Sequence, residues 1–269
     1  MQLIYKEYTP TSTLAPYLQC FWSISSNGNA YDSSPWQRCF PSGYTEWIVQ
    51  VKGPTCKGFD EEGLFAYPAA MFSAVNEKAA VWAMNGQSEL FGIRLSPETA
   101  LTLFGKPFSN FKNSHVEATD YMGPEAGTLT GILQQASTVA ERILIVENYL
   151  LKLLNKQKKK HPPYLPAALK MLRQHEKVTI KELSSKLYVC PRQLQRSFQA
   201  IMGISPMEYY RVTRLSKAHE LILMGQRNFS QVAYELGYAD PAHFTREFKD
   251  HFGSAPSEHF SNTAYKLAG

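Results

Sequence analysis

Two stretches of this chain, fifty positions apart, place arginine and other polar side chains at matching steps of one pattern. The first stretch, 190–206, reads CPRQLQRSFQAIMGISP, and the second, 240–256, reads DPAHFTREFKDHFGSAP. In the major groove of DNA, a guanidinium can donate two hydrogen bonds to guanine, and a glutamine amide can pair with adenine. The matching positions are Pro191 and Pro241, Leu194 and Phe244, Arg196 and Arg246, Phe198 and Phe248, Gly203 and Gly253, and Pro206 and Pro256. The repeat indicates one structural unit used twice.

Each copy predicts a helix that begins at its proline and ends at its glycine. Proline is tolerated in the first turn of a helix, and glycine adopts the left-handed conformation of a C-terminal cap. Spacings of three and four residues put apolar side chains on one inward face of each helix. Those side chains are Leu194, Phe198 and Ile201 in the first copy and Phe244, Phe248 and Phe252 in the second. The outward faces carry Arg192, Gln195, Arg196 and Gln199 in the first copy and Ala242, Thr245, Arg246 and Lys249 in the second.

A shorter helix is predicted before each copy, joined to it by a tight turn. This arrangement is a helix-turn-helix unit. The first short helix has Thr179 as its N-cap and Glu182 three residues later, which is a capping box. The expected N-cap of the second is Ser230, and Gly237 supplies a residue that takes positive φ in the turn. A long helix that begins after Ser205 is predicted to join the two units.

Residues from about 163 to 261 resemble the DNA-binding domain of the AraC family of bacterial transcription regulators. The resemblance rests on LQRSFQAIMGISPMEYYRVTRLSKAHELIL in the first unit and VAYELGYADPAHFTREFKDHFGSAPSEHF in the second. Cys190 departs from the small polar cap that is usual in the family, and Ala242 departs from a polar base-contacting residue. The resemblance implies a protein that binds promoter DNA and has no catalytic residue.

The predicted partner is double-stranded promoter DNA, with Arg196 and Arg246 as the main base-reading residues. The full set of predicted DNA-binding residues is Arg192, Gln193, Gln195, Arg196, Gln199, His243, Thr245, Arg246 and Lys249. An alternative is that one unit contacts RNA polymerase or another protein, because Ala242 offers no hydrogen bond to a base.

The distribution of charge favours the DNA-binding interpretation. Residues 1–150 hold 9 Lys and Arg against 14 Asp and Glu, whereas residues 151–269 hold 19 against 9. The net charge of +5 therefore combines an acidic first part with a basic second part. A basic domain attracts the phosphate backbone of DNA.

The N-terminal half predicts short strands, because β-branched and aromatic runs such as TEWIVQV, AAVWAMN and ELFGIRL alternate with turn residues. The predicted fold class is α+β: a β-rich small barrel or sandwich with flanking helices, followed by an all-α domain with the two joined units. The stretches FPSGYTEWIVQV and LFGIRLSPETALTLFGKPFSN are similar to the sensor half of AraC-type regulators, which implies an unknown small-molecule effector. The side chains expected to bind it are Trp22, Trp36, Arg38, Tyr44, Trp47 and Trp82. For any single aromatic residue among them, a plain core role is the favoured alternative.

Catalytic and metal chemistry is not expected. Residues 1–160 contain one histidine, His115, whereas a metal-dependent enzyme of this fold needs two or three converging on a metal. The cysteines at 20, 39, 56 and 190 form no metal-binding or disulfide pattern, so no metal and no cofactor is predicted. The thiols are expected in the core. The alternative is alkyl transfer to a zinc-bound cysteine, for which the spacing of these cysteines does not supply four clustered ligands. No membrane partner is predicted, because a long apolar run and a signal-peptide pattern are both missing, and the expected location is the cytoplasm.

The two predicted domains, 1–155 and 164–269, are separated by a basic, proline-containing linker at 156–163. The helix before the linker carries an apolar stripe of Val139, Ile143, Val146, Leu150 and Leu153, spaced alternately by four and three residues. Two interpretations remain open: a homodimer seam, or packing of this helix on its own domain.

Overall fold

The computed structural model describes residues 1–60, 62–77, 79–111, 114–155, 161–174, 178–225 and 228–262. Ten strands and four helices form the N-terminal half, and seven helices form the C-terminal half within these residues. The strands are β1 (Leu3–Tyr8), β2 (Leu18–Ser26), β3 (Gln37–Cys39), β4 (Thr45–Lys52), β5 (Lys57–Asp60), β6 (Gly63–Ala66), β7 (Ala70–Ser73), β8 (Ala80–Ala83), β9 (Glu89–Leu95) and β10 (His115–Glu117). The helices are α1 (Pro97–Phe104), α2 (Ala118–Met122), α3 (Glu125–Gln135), α4 (Val139–Asn155), α5 (Tyr164–Arg173), α6 (Ile180–Lys186), α7 (Pro191–Met202), α8 (Pro206–Leu223), α9 (Phe229–Glu235), α10 (Pro241–Phe252) and α11 (Pro256–Asn262). The α+β class is confirmed.

The strands form two antiparallel sheets with a shared apolar layer. The larger sheet has the order β1-β2-β9-β4-β7-β10, and the smaller has the order β3-β8-β5-β6. The layer takes Trp22, Ile48 and Met71 from the larger sheet and Trp82 from the smaller one. Because successive strand residues point to opposite faces, Trp47 and Val49 on β4 belong instead to the core on the helical side of the larger sheet. Both faces of β4 are covered.

The core on the helical side continues from the N-terminal half into the first helix-turn-helix unit. It joins Phe72 of β7 and Leu150 of α4 to Leu169 of α5 and Phe198 of α7. Polar contacts cross the same boundary: the Phe108 amide donates to the Ile201 carbonyl at 2.6 Å. The second unit has a separate core, which Phe40 of the N-terminal half also contacts.

The apolar stripe of α4 lies in this intramolecular core. Val146 is 0 % exposed and Leu150 is 1 % exposed, while Val139, Ile143 and Leu153 are partly buried against the same cluster. In the structure, this helix therefore packs on its own domain. Leu144, on another face of α4, is 60 % exposed.

Of the predicted linker, residues 156–160 lie outside the described residues. The helix before it ends at Asn155, and α5 begins at Tyr164, so the described helices flank the predicted segment. Among the helices that the structure describes, none is long and apolar enough to cross a membrane.

The expectation that all four cysteines lie in the core is wrong for two of them. Cys20 and Cys56 are buried, whereas Cys39 and Cys190 are exposed, and all four are free thiols. Cys39 ends a short strand, and Cys190 is the N-cap residue of α7. Burial raises the pKa of the Cys56 thiol to about 12.

Candidate nucleic-acid interface

The first unit, α6 and α7, is built by local signals in its sequence. The Thr179 side chain accepts from the Glu182 amide, and the Glu182 carboxylate accepts from the Thr179 amide, so the capping box is formed. Helix α7 begins with Pro191 and ends at Gly203, which has φ +74. The Cys190 side chain makes no capping hydrogen bond, as its weak capping chemistry predicts.

The second unit, α9 and α10, uses a different N-cap from the one expected. Ser230 lies inside the first turn, and Asn228 is the cap. The Asn228 side-chain oxygen accepts from the Gln231 backbone amide at 2.9 Å, and the Gln231 side-chain oxygen accepts from the Asn228 backbone amide at 3.0 Å. This reciprocal pair satisfies two amides at the helix start, which Ser230 cannot do because it lies two residues further along, inside the first turn.

The turns of the two units differ at equivalent positions. Gly237 has φ +76 in the second unit, whereas Tyr188 has φ +54 in the first and is 96 % exposed. A side chain in this left-handed region is disfavoured by roughly 1 kcal/mol, because its Cβ approaches the following carbonyl. The first turn therefore carries local backbone strain that the second avoids.

Buried aromatic side chains fix the orientation of α7 and α10. Phe198 of α7 packs against Tyr209 of α8, with ring centroids 6.3 Å apart. In the second unit, Phe248 lies 4.2 Å from Phe252 and 5.6 Å from Phe244 by ring centroids. The apolar faces that the sequence predicted are thus turned inward.

An ion-pair network ties α10 to α8. The Arg214 guanidinium of α8 lies 2.7 Å from a Glu247 carboxylate oxygen and 3.8 Å from the centre of the Tyr238 ring. The Tyr238 hydroxyl donates to the same carboxylate at 2.8 Å. These contacts hold α10 against the helix that joins the two units.

The predicted DNA-binding side chains lie on the opposite, outward faces. Arg192, Gln193, Gln195, Arg196, Gln199, Arg246 and Lys249 are exposed, and His243 and Thr245 are half-buried. Two of the side chains are engaged within their own helix ends: the Gln199 amide donates to the Gly203 carbonyl, and the Thr245 hydroxyl donates to the Pro241 carbonyl. The arrangement can present two guanidinium groups, Arg196 and Arg246, to base edges.

The predicted effector-binding side chains are not brought together in one place. Trp22 and Trp82 lie in the layer between the sheets, whereas Trp47 packs on the helical side, 6.2 Å from the Tyr149 ring. Trp36 is 52 % exposed. Arg38 lies in β3 and Tyr44 lies just before β4, and both side chains contact the C-terminal half.

Contacts across the boundary between the two halves were missed by the sequence analysis. Arg173 of α5 forms an ion pair with Glu98 of α1. The Tyr209 hydroxyl donates to the Gly43 carbonyl at 3.0 Å. No periodic pattern marks such pairs, although Gly43 in the turn sequence PSGY is a local signal of a tight approach.

Histidines cluster where the second unit meets the N-terminal half. The Nε2 atoms of His219 and His259 are 3.1 Å apart, so one ring donates and the other accepts. Burial lowers the pKa of His219 to about 4, and the neighbouring His259 and His251 add to this effect. Burial likewise lowers the pKa of His251 to about 4. Among the described residues, no group of three or more His, Cys, Asp or Glu side chains could hold a metal ion.

We expect the stability of the protein to fall as the pH is lowered from about 6.5 to about 4. Above this window the two imidazoles are neutral in both states. Within it the unfolded chain binds protons that the folded chain excludes, which destabilises the fold by about 1.4 kcal/mol per pH unit for each histidine. Urea titrations at several pH values should show that His219→Gln reduces this slope by about one histidine's share, because carboxylates contribute equally to both proteins. An unchanged slope would contradict the burial of a neutral His219.

Family comparisons agree with this architecture. Residues 183–262 match the family described as "Helix-turn-helix domain". Residues 6–117 match a family described as a domain of unknown function, DUF6597. The C-terminal half therefore carries a helix-turn-helix domain, and the resemblance inferred from the repeat is confirmed.

Curated relatives are named as transcription regulators. The chain is 26 % identical over 130 residues to the HTH-type transcriptional regulator ArgR of Pseudomonas aeruginosa, covering 46 % of this chain and 40 % of that protein. It is 32 % identical over 84 residues to the probable transcriptional regulator LumQ of Photobacterium leiognathi, covering 31 % and 34 %. It thus spans well under two thirds of either relative.

Among solved structures, the chain is similar to ToxT from Vibrio cholerae O395, with a TM-score of 0.48 and 15 % identity, covering 91 % of this chain and 98 % of that one. An AraC-type regulator from Chromobacterium violaceum matches with a TM-score of 0.36 and 25 % identity, covering 39 % and 95 %.

Proposed function

We propose that the protein is a bacterial cytoplasmic transcription regulator whose two helix-turn-helix units bind promoter DNA. The observation that carries this proposal is the exposure of Arg196 and Arg246 at the same step of two helices with the same proline start and glycine end. Each helix is held from behind by buried apolar side chains, Leu194 and Phe198 in α7 and Phe244 and Phe248 in α10, so its outward face is preorganised. Two units on one scaffold suit successive major grooves, which lie roughly 34 Å apart on one face of DNA.

Charge supports the same function. The C-terminal part of the chain, residues 151–269, holds 19 Lys and Arg against 9 Asp and Glu. Exposed cations such as Arg192 and Lys249 lie beside the proposed base-reading arginines. We assign Lys249 to a phosphate, because a flexible ammonium carries little sequence information.

Arg196→Ala and Arg246→Ala are each expected to weaken binding to the cognate DNA by about 1 to 3 kcal/mol, since each removes a bidentate contact with a base. Both side chains are exposed, so the melting temperature should barely change. The measurement is fluorescence anisotropy with full-length protein and a DNA sequence that the protein itself selects from a random library.

Lys217→Ala is the matched control, because it removes one positive charge from α8, where Lys217 pairs with Glu220 at 3.0 Å. It should weaken binding to selected and unrelated DNA about equally. Loss of discrimination in the two arginine variants alone would support base reading. Equal behaviour of all three variants would show that the arginines act only through charge.

The second unit has an alternative partner, RNA polymerase or another protein. Ala242 is exposed on α10, at a position that offers DNA no polar group. If Arg246→Ala keeps full affinity and specificity for DNA while Arg196→Ala does not, the first unit alone reads bases. The second unit would then be the surface for a protein partner.

We further propose that the N-terminal domain binds a small-molecule effector between its two sheets. Trp22 and Trp82 line that layer, and the Trp22 indole nitrogen is buried with no hydrogen-bond partner among the described residues. At one end, a polar recess contains Tyr44, Glu46 and His115. An apolar body with a few polar groups at one end is the usual character of a small-molecule site.

We also propose that the protein has two domains, 1–155 and 164–269, and that it forms a homodimer. The buried stripe of α4 cannot join two copies without leaving its own core, so self-association would use another face. The exposed Leu144 of the same helix lies outside that stripe.

A further inference from the structure

Residues 38–44, which comprise the last two residues of β3 and the connection to β4, contact helices of the C-terminal half. We call this segment the bracket. One end of the bracket contacts the second unit, and the other end contacts α8 and α5.

The first end of the bracket holds the second unit. The Phe40 ring lies 4.9 Å from the rings of Phe252 and of His259, and 5.7 Å from that of His219. These three partners come from α10, α11 and α8, so one side chain contacts three helices. Arg38 donates to the Phe252 carbonyl at 3.5 Å, and His251 hydrogen-bonds to the backbone of Pro41.

The other end of the bracket holds the N-terminal part of α8 and the adjoining α5. The Gly43 carbonyl accepts from Tyr209, and Gly43 has φ +72. A Cβ at Gly43 would lie 2.4 Å from the Thr213 methyl carbon, so the backbone approaches α8 too closely for any other residue. The Tyr44 ring lies 5.4 Å from the Arg173 guanidinium.

The bracket also forms one wall of the polar recess in the N-terminal domain. Residues 39–42 and Tyr44 line it from one side, and Glu46, Asn76 and His115 line it from the other. The Asn76 side-chain oxygen is buried without a hydrogen-bond partner among the described residues. Glu46 is anchored by Arg94, whose Nε donates to it at 2.7 Å. A group that enters this recess therefore contacts the bracket.

We propose that the bracket fixes the orientation of α10 in the second unit relative to α7 in the first. We propose also that it transmits occupancy of the recess to the DNA-binding domain. The part of this proposal that concerns DNA rests on the function proposed above. Its structural part does not, because the contacts involve only residues of this chain.

Hydrogen exchange on the full-length protein without DNA tests the structural part. In Phe40→Ala, amide exchange in α10 and α11 should rise by roughly tenfold or more, because the residue that links three helices is lost. Phe40→Leu should give a smaller rise, since it keeps apolar volume. Trp36→Ala is the control: this side chain is 52 % exposed and contacts Phe59, outside the bracket. Exchange in α10 and α11 that is the same in Phe40→Ala and Trp36→Ala would overturn the proposal.

A series of DNA fragments tests the functional part. The two half-sites of the selected DNA, one for each unit, are placed at increasing spacings, and binding of wild type and Phe40→Ala is compared. Wild type should prefer a spacing near one helical turn, and the variant should lose most of that preference while each half-site alone is bound equally well. If Phe40→Ala raises amide exchange in α10 and α11 but keeps the wild-type preference for spacing, the proposal that the bracket controls DNA binding is overturned. If wild type binds no DNA at all, the proposed function fails, and the exchange experiment still decides whether the bracket orients the second unit.

Discussion

Phe248→Ala should lower the free energy of unfolding by about 3 to 5 kcal/mol, the cost typical of removing a buried phenylalanine. Phe248 is fully buried, and its ring contacts Phe244, Phe252 and His259 with centroid distances of 5.6, 4.2 and 5.4 Å. The cavity would open at the centre of the second unit, whose core is separate from the larger one. We therefore expect the second unit to lose order before the first.

Chemical denaturation checks this expectation. Lys249→Ala is the matched control on the same helix, because Lys249 is exposed, and it should change stability by no more than about 0.5 kcal/mol. A Phe248→Ala protein as stable as this control would show that α10 is not held by its phenylalanine face.

Leu150→Glu should destabilise the N-terminal half by roughly 3 to 5 kcal/mol, because it removes apolar volume and puts a carboxyl group among apolar side chains. Leu150 is 1 % exposed in the core that includes Val146. Leu144→Glu is a closely matched control: the same substitution on the same helix at a position 60 % exposed should leave stability within about 0.5 kcal/mol of wild type.

Sedimentation and thermal melting together separate the two roles considered for this helix. Unfolding of the N-terminal half in Leu150→Glu, with Leu144→Glu intact, supports packing within one chain. A Leu150→Glu protein that stays fully folded but changes from dimer to monomer would contradict the burial described above.

The C-terminal half was predictable because its information is local. The capping box at Thr179, the glycine at 203 and the phenylalanines of α10 each act within one or two helical turns. Ser230 failed as an N-cap because two polar residues compete at that helix start, and the choice depends on which has a reciprocal partner three residues later. Asn228 has Gln231, which settles it.

The N-terminal half was less predictable because strand partners are distant in sequence. Glu46 pairs with Ser73 on one side and with Arg94 on the other. The strands before and after TEWIVQV are short. Both faces of β4 are buried, so its sequence does not alternate between apolar and polar residues and does not show which face a tryptophan occupies. For that reason the six proposed effector residues separate in the structure: Trp22 and Trp47 occupy opposite faces of one sheet.

The contacts of the bracket could not be predicted, since nothing in residues 38–44 specifies which helix they meet. Gly43 signals a close backbone approach, but Tyr209 and Thr213 lie more than 160 positions later. The charge of the C-terminal half indicates DNA as its partner, whereas the orientation of that half depends on tertiary contacts alone.

Hydroxyl-radical footprinting of the full-length protein on its selected DNA tests the central claim, that both units read DNA, most directly. We expect two protected blocks on one face of the duplex, with centres about one helical turn apart. Arg196→Ala should weaken one block and Arg246→Ala the other. A single protected block that is insensitive to Arg246→Ala would contradict the claim.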